Sequence, residues 1–302
     1  MEFPIFDQIM ETTSLQVTRK NQLVDESFSN GMVEHPVLLA MLDDDQFIYG
    51  IIDRERHKAV VLKEYRIVPS MGSKIPDNFF QQILDQDELL RDLKPAKTVF
   101  AVHPNCAVLV PSPLFSKEYA KDILALSCKL TDDARMYADQ LKMAEAHLVY
   151  GVTESILKQT GSHFKEANLF HANTAYIESQ LRLNKHEQET ILSVHVRKSS
   201  IDLVATKGSE LLFSNIFKYK DSEDFIYYLL YTLEQLQLNP DKTAVRFYGE
   251  IDKTSASWMV SKKYIRNISL GEQAEGIDFS YGFEQLSSHI HYLLFSQYLC
   301  VS

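Results

Sequence analysis

Length, composition and charge exclude several classes of protein. The chain has 302 residues, enough for two domains of about 150 residues each, and 45% of them are hydrophobic. Its 10 glycines and 9 prolines are too few for a collagen-like or low-complexity chain. The 41 acidic and 31 basic residues give a net charge of −10, whereas non-specific binding to phosphate backbones needs concentrated Lys and Arg. We therefore expect a globular protein that does not bind nucleic acid.

The N-terminal residues, the apolar runs and the cysteine spacing predict a cytoplasmic protein. Residues 1–7 lack a basic region followed by an apolar stretch, so they do not resemble a secretory signal. The most apolar runs are a few residues long, against the roughly 20 that span a bilayer. Cys106, Cys128 and Cys300 are odd in number and form no Cys-x-x-Cys pair, so neither a disulfide framework nor a zinc site is indicated. We expect no membrane span and free, buried thiols in a reducing cytoplasm.

The first half of the chain begins with a predicted three-strand meander. Three short apolar runs are separated by polar turns, at residues 37–43, 46–53 and 58–67. Apolar residues then recur at helical spacing, which predicts a helix from Asp77 until Pro95 stops it. The remaining elements predicted in this half are strands at 98–103 and 106–110 and a helix over about 115–127.

The second half repeats this order. Strands are predicted at 190–196, 200–206 and 209–217. A helix capped by Asp221 and Ser222 follows and runs to Asn239-Pro240. A strand at 243–248, a helix near 254–264 and a strand at 265–270 complete the half. Aligning Phe47 with Ile201 gives an offset of 154 residues, and aligning Thr98 with Thr243 gives 145. The shared order of elements indicates a duplication.

The repeated order predicts the fold class. Three successive strands without crossover helices pair antiparallel before any parallel strand is added, so each half needs a mixed sheet. Two such halves predict an α/β protein with the duplicated ribonuclease H-like, or actin-like, arrangement of two lobes around a cleft. We expect an N-terminal lobe over residues 1–165 and a C-terminal lobe over residues 166–302.

Several separated motifs resemble those of a known family. The motifs are residues 47–53 (FIYGIID), 108–115 (VLVPSPLF), and 215–219 (NIFKY) leading into 224–228 (DFIYY). Over roughly residues 35–300 the chain is similar to an uncharacterised family of Bacteroidota proteins. The resemblance implies an actin-like ATPase fold and no established activity.

In that fold, an active site would lie at two hairpins, one after the first strand of each lobe. Actin-like ATPases carry an Asp-x-Gly-Thr type sequence there, because glycine lets backbone amides approach the phosphates and the carboxylate holds the magnesium shell. Here Met41 and His195 fall at the acidic positions, and Arg197 and Lys198 stand where small residues belong. The Gly-Gly pair that would flank adenosine is reduced to Gly249. Both hairpins are degenerate.

These observations predict a non-catalytic protein of unknown function without a cofactor. It would act as a scaffold or regulatory module through an unknown protein partner. The alternative is a divergent ATP-binding protein or slow ATPase that uses Mg·ATP in the cleft, with Arg197, Lys198 and Gly249 as its binding residues. In a sharper form of that alternative, Arg197 and Lys198 bind an anionic group, and replacing both by Ala abolishes polyphosphate binding.

Three further features have a simpler interpretation. Asp43, Asp44 and Asp45 could be nuclease carboxylates, but a plain acidic turn is favoured. The two histidines on a predicted helix over residues 283–299, His289 and His291, are two residues apart and face different sides, unlike metal ligands. The aromatic helix around Tyr227, Tyr228 and Tyr231 is expected to be buried in the core, and a homodimer built on it is the weaker alternative.

Overall fold

The computed structural model describes most of the chain, namely residues 17–29, 31, 33–43, 45–68, 75–161, 163–164, 166–283 and 286–300. In chain order the described strands are β1 (Val17–Val24), β2 (Pro36–Leu42), β3 (Gln46–Asp53), β4 (Lys58–Ile67), β5 (Lys97–Val102), β6 (Ala107–Pro111), β7 (Ala134–Gln140), β8 (Ala146–Thr153), β9 (Asn168–His171), β10 (Ile191–Val196), β11 (Ser200–Lys207), β12 (Glu210–Lys218), β13 (Ala244–Gly249), β14 (Asn267–Leu270) and β15 (Asp278–Phe279). The described α-helices are α1 (Glu26–Ser29), α2 (Phe79–Gln86), α3 (Glu88–Asp92), α4 (Ala120–Ala125), α5 (Glu154–Gly161), α6 (Ala172–Leu183), α7 (Ser222–Gln235), α8 (Ala256–Tyr264) and α9 (Tyr292–Ser296). The sequence patterns did not predict β1, β7, β8, β9, β15, α1, α5 or α6.

Two mixed sheets share one layout. The first has the strand order β1-β4-β3-β2-β5-β9, with β15 added alongside β4, and the second has the order β12-β11-β10-β13-β14. In each sheet a central strand, β2 or β10, lies between an antiparallel hairpin partner and a parallel strand. The predicted mixed α/β fold with two actin-like halves is therefore confirmed.

The strand registers relate the two halves residue by residue. In the first sheet Leu42 pairs with Phe47, and in the second Val196 pairs with Ile201, so the predicted offset of 154 residues is confirmed at the hairpins. Leu38 pairs with Thr98, whereas its counterpart Leu192 pairs with Val245. The alignment of Thr98 with Thr243 is therefore wrong by two residues, because short apolar strands leave the register ambiguous.

The predicted boundary between residues 165 and 166 stays a prediction. β9 follows that boundary in the chain and is an edge strand of the first sheet, parallel to β5. Thus four residues assigned to the C-terminal lobe, Asn168–His171, hydrogen-bond to the sheet of the N-terminal half.

A third, small sheet lies between β5 and β9 in the chain. It has the order β6-β8-β7 and packs against α4, so the strand predicted at 106–110 belongs to this sheet and not to the main one. Cys106 precedes β6 and Cys128 follows α4, and a disulfide joins them with their Cα atoms 5.9 Å apart. The prediction of free thiols is wrong for these two cysteines, because packing of α4 on β6 brings together residues whose spacing carries no pairing signal. The thiol of Cys300 lies outside the described part of the chain.

The helix predicted from Asp77 to Pro95 is two helices, broken at Asp87. The Asp87 carboxylate is buried and accepts hydrogen bonds from the Tyr49 and Tyr65 hydroxyls at 2.6 Å and from Lys63 Nζ at 2.7 Å. It also accepts from Leu90 N at 3.2 Å and so caps α3. These contacts with β3 and β4 turn Asp87 inward and end α2 there.

The C-terminal region departs further from the sequence pattern. Instead of one helix over 283–299, the described residues contain the short α9 and a following 3-10 turn, Gln297–Cys300. His289 Nε2 donates to the Ile251 carbonyl at 2.7 Å, and the His289 carbonyl accepts from Gly249 N at 2.9 Å. These contacts with the end of β13 hold His289 outside a helix, so the predicted long helix is wrong. Among the described residues, no helix is long and apolar enough to cross a membrane.

Helices α7 and α8 cover one face of the second sheet. Phe225, Leu229 and Leu233 of α7 pack into the core with Trp258 of α8, as the helical spacing of the first three predicts. Asp221 caps α7 by accepting from Glu223 N and Asp224 N, as predicted. Tyr227 and Tyr231 are 59% and 42% exposed, so the expectation that they belong to the core is wrong. Their side of α7 points away from the sheet.

Candidate functional site

The two duplicated hairpins meet between the sheets and carry opposite charges. Asp43 follows β2 and Arg197 follows β10, and these two residues occupy equivalent positions, 154 residues apart. Arg197 Nη1 donates to Asp43 Oδ1 at 2.9 Å, and Lys198 Nζ donates to Asp45 Oδ2 at 3.0 Å. Asp44 lies outside the described residues. Each hairpin therefore provides the counter-charge of the other.

Arg197 fills the space between the hairpins. Its side chain is 5% exposed. Besides Asp43, Nη1 donates to the His103 carbonyl at 3.2 Å, and Nη2 donates to Asn105 Oδ1 at 2.8 Å and to Asp202 Oδ1 at 3.2 Å. The Tyr219 hydroxyl donates a hydrogen bond to the Arg197 carbonyl at 2.6 Å. The guanidinium is thus bound by groups from both sheets.

Asp202, on β11, is the central acceptor of this cluster. It is fully buried, and its Oδ1 accepts from Arg197 Nη2 at 3.2 Å and from Asn173 Nδ2 at 3.1 Å. Its Oδ2 lies 3.1 Å from His195 Nδ1 and 3.2 Å from His103 Nε2. Burial opposes ionisation of Asp202, but Arg197 and His103 outweigh it and hold its pKa well below the usual range.

His103 is a second basic group in the cluster. Its Nε2 faces Asp202 Oδ2 and, at 3.1 Å, Asn173 Oδ1, while its Nδ1 lies 3.6 Å from Asp43 Oδ2. Burial and Arg197 disfavour a charged imidazole, but the two carboxylates prevail and raise the pKa of His103 above its ordinary value. The raised pKa favours a charged imidazole between the two carboxylates.

The other two histidines of the cluster are neutral. Burial, together with the charge of His103, lowers the pKa of His171 to about 3. Its Nε2 donates to the Pro104 carbonyl at 3.0 Å, and its Nδ1 accepts from Asn173 N at 3.0 Å. Burial also lowers the pKa of His195, although Asp202 opposes the shift. The imidazoles of His171 and His195 therefore form hydrogen bonds in the cluster and add no charge to it.

The cavity left beside this cluster is small. Its volume is about 40 Å³, and it is lined from both hairpins, by Met41 and Asp43 on one side and by His195 and Arg197 on the other. Sites for small molecules usually measure about 300–1,000 Å³, and a water molecule occupies about 30 Å³. The cavity has room for water and not for a nucleotide.

Gly249 closes one wall of the cavity. Its φ is +81°, and a Cβ there would lie 2.3 Å from the Val196 carbonyl and 3.0 Å from His195 Nε2. The close approach of β13 to β10 therefore requires glycine at this position. Of the residues predicted from the sequence, the structure brings Arg197 and Gly249 together at the cavity. It places Lys198 outside the cavity, with its side chain 57% exposed. Their role in binding a cofactor stays a prediction.

Sequence reasoning missed Asp202, His103 and Asn173. The available signal was Asp202 itself, a charged residue within the apolar strand predicted at 200–206. The equivalent residue of the first half is the apolar Ile48. A charge in a buried strand needs partners, but two of the partners of Asp202, namely Asn173 and His103, come from segments about 30 and 100 residues away.

A second ionic group lies at the mouth of the cavity. Lys20 Nζ, on β1, is 3.4 Å from Glu64 Oε2 and 3.7 Å from Glu250 Oε1, so β1 links the first sheet to the end of β13. His291 Nε2 lies 3.3 Å from Glu64 Oε1. Burial opposes ionisation of Glu64, yet His291 and Lys20 lower its pKa to about 2. Within the described ranges no three His, Cys, Asp or Glu side chains are arranged to hold a metal ion.

Two sheets of the same topology, with their hairpins facing each other across a cleft, define the actin-like ATPase fold. The chain belongs to the DUF3822 family of proteins of unknown function, whose model matches residues 25–268. The expected resemblance to an uncharacterised family with this fold is thereby confirmed.

Solved structures support the same fold. A protein of Bacteroides thetaiotaomicron VPI-5482, with an actin-like ATPase fold and unknown function, is similar at a TM-score of 0.72 and 20% identity. The match covers 80% of this chain and 92% of that one. The PilM-PilN type IV pilus biogenesis complex matches at a TM-score of 0.59 and 11% identity, over 87% of this chain and 98% of that one. No curated protein matches the sequence.

Proposed function

We propose that the protein is a non-catalytic interaction module, a scaffold or regulator in the cytoplasm that acts through a protein partner and uses no cofactor. The observation that carries this proposal is the position of Arg197. Its guanidinium lies between Asp43 and Asp202, at the hairpins where an actin-like ATPase holds phosphates and magnesium.

The charges at the hairpins argue against nucleotide binding. Magnesium and phosphate would need a free carboxylate and backbone amides without side chains in front of them. Both carboxylates already pair with the buried Arg197, and removing one partner of such a pair typically costs about 3–5 kcal/mol. A nucleotide would have to displace Arg197 and enlarge a cavity of about 40 Å³.

The similarity to PilM supports the part of the proposal that concerns a partner. PilM is found with PilN in a complex for type IV pilus biogenesis, and its fold is shared with this chain at a TM-score of 0.59. Proteins of this fold can thus be members of protein assemblies. The net charge of −10 supports a partner other than nucleic acid.

The test is the melting temperature of the purified protein with and without millimolar Mg·ATP, Mg·ADP and Mg·GTP. A ligand at about 100 times its dissociation constant stabilises the folded protein by about 2.7 kcal/mol, which is readily visible. We expect no shift with any of the three. A rise specific to one nucleotide would contradict the proposal and support the divergent ATP-binding protein.

One double variant, compared with the wild type, separates nucleotide binding from an anion effect. Inorganic polyphosphate is added to the wild type and to a variant with Arg197→Ala and Lys198→Ala. If the two cations form an anion site, polyphosphate raises the melting temperature of the wild type and not of the variant. Under the proposal neither protein responds.

A further inference from the structure

Helices α7 and α8 pack side by side and each exposes large apolar side chains to solvent; we call this surface the α7–α8 face. It consists of Tyr227 and Tyr231 on α7 and Met259 and Tyr264 on α8, with exposed fractions of 59%, 42%, 52% and 56%. The rings of Tyr227 and Tyr231 stack with centroids 6.0 Å apart. These four are among ten large hydrophobic side chains that are exposed in the described part of the chain.

Folding of the second sheet does not require these four side chains. The opposite side of α7 already buries Phe225, Leu229 and Leu233, and Tyr228 stacks on Phe217 with ring centroids 4.6 Å apart. Exposed aromatic residues that add nothing to the core are typical of protein interfaces, where Tyr is enriched. The α7–α8 face is therefore a candidate surface for a partner.

The charges of the two helices indicate which partner. α7 contains three acidic residues and no basic one, and α8 contains two lysines and no acidic residue. Glu223 and Glu234 of α7 are exposed, as are Lys262 and Lys263 of α8. One half of the face is acidic and the other basic, so the face is complementary to itself.

The directions of the helices are compatible with such pairing. α7 connects β12 to β13 and α8 connects β13 to β14, and these three strands are parallel. Both helices therefore run in the same direction on the same face of the sheet. A two-fold axis along the helices places α7 over α8 of another copy, with their C-terminal turns side by side. Glu234 then meets Lys262 and Lys263.

We propose that the α7–α8 face is the two-fold interface of a homodimer, in which α7 of each copy packs on α8 of the other. The interface is isologous, since the same patch serves both copies. The inference goes beyond the proposed function, because it names a second copy of this chain as the occupant and holds whether or not a nucleotide binds.

The test is sedimentation equilibrium of the full chain over a range of concentrations and salt. We expect a monomer–dimer equilibrium that weakens as salt rises. A variant with Glu223→Lys and Glu234→Lys, and another with Lys262→Glu and Lys263→Glu, should each dimerise about tenfold more weakly or worse. Lys117→Glu with Lys121→Glu makes the same change of charge as the lysine variant, elsewhere on the surface, and should leave dimerisation unchanged.

Mixing the two reversed variants gives the decisive result. In the mixture each reversed helix meets a helix of opposite charge, so a heterodimer should form where neither variant dimerises alone. Tyr227→Ala with Tyr231→Ala should remove dimerisation while circular dichroism shows an intact fold. A wild type that stays monomeric at all concentrations, or reversed variants that do not restore each other, would overturn the proposal.

Discussion

Replacing Arg197 by Met tests whether this side chain holds the two sheets together. The change removes the guanidinium and keeps an unbranched side chain of similar length, so the buried carboxylates of Asp43 and Asp202 lose a shared cation. Removing one partner of a buried ion pair typically costs about 3–5 kcal/mol, because the remaining charge stays desolvated. We expect Arg197→Met to lower the free energy of unfolding by an amount in this range.

Lys198→Met is the matched control. Lys198 is adjacent in sequence and also pairs with a carboxylate across the cleft, but its side chain is 57% exposed. Exposed pairs contribute at most about 1 kcal/mol. Both variants therefore remove the cation of an ion pair across the cleft, but only Arg197→Met removes a buried one.

Urea unfolding, followed by circular dichroism and by the fluorescence of Trp258, measures these free energies. A double-mutant cycle with Asp43→Asn should give a coupling energy of about 1–3 kcal/mol, since the removed groups touch each other. If Arg197→Met costs no more than Lys198→Met, the buried guanidinium does not stabilise the closed cleft and the reasoning is refuted.

Three further predictions concern the surroundings of the cluster. Because folding raises the pKa of His103, its contribution to the free energy of unfolding is complete below about pH 6.5 and is lost as the pH rises through the folded pKa. His103→Gln should remove this loss when the free energy of unfolding is measured from pH 6 to 9. A pH profile equal to that of the wild type would contradict the assignment. Replacing Cys106 and Cys128 by Ser should cost about 3 kcal/mol for the 22-residue separation, and dithiothreitol should lower the melting temperature of the wild type alone. Gly249→Ala should destabilise by about 1–3 kcal/mol or more, because φ is +81° and the new Cβ meets the Val196 carbonyl; a melting temperature equal to that of the wild type would show that the strands can separate there.

Most of the sheet strands could be predicted because their signal is local. The strands β2, β3 and β4 are apolar runs between turns, and the predicted bounds agree with the structure within one residue at either end. The break at Asp87 could not be predicted, because it depends on Tyr49, Tyr65 and Lys63, which approach only when α2 packs on the sheet. β1 was missed for another reason, since it is a polar edge strand whose middle residues are exposed.

The location of the site could be predicted from the sequence, but the pairing of its charged residues could not. The offset of 154 residues correctly identifies the two hairpins as equivalents, and that equivalence places Asp43 opposite Arg197. What the offset does not reveal is that the two face each other closely enough to pair. Pairing depends on the distance between the sheets, and hydrogen bonds that join His103, Asn173 and Asp202, from three separate segments of the chain, link the two sheets there.

The two equivalent hairpins carry groups of opposite charge at the cleft. Carboxylates that are buried close together repel each other, so they need a cation between them. Here the second hairpin carries Arg197 at the position equivalent to Asp43, so the protein supplies the cation itself. Asp202 on β11, where the first half has Ile48, then needs the same cation. Arg197 therefore fills the cleft in the folded chain, and under the proposed function a partner binds an outer surface, such as the α7–α8 face.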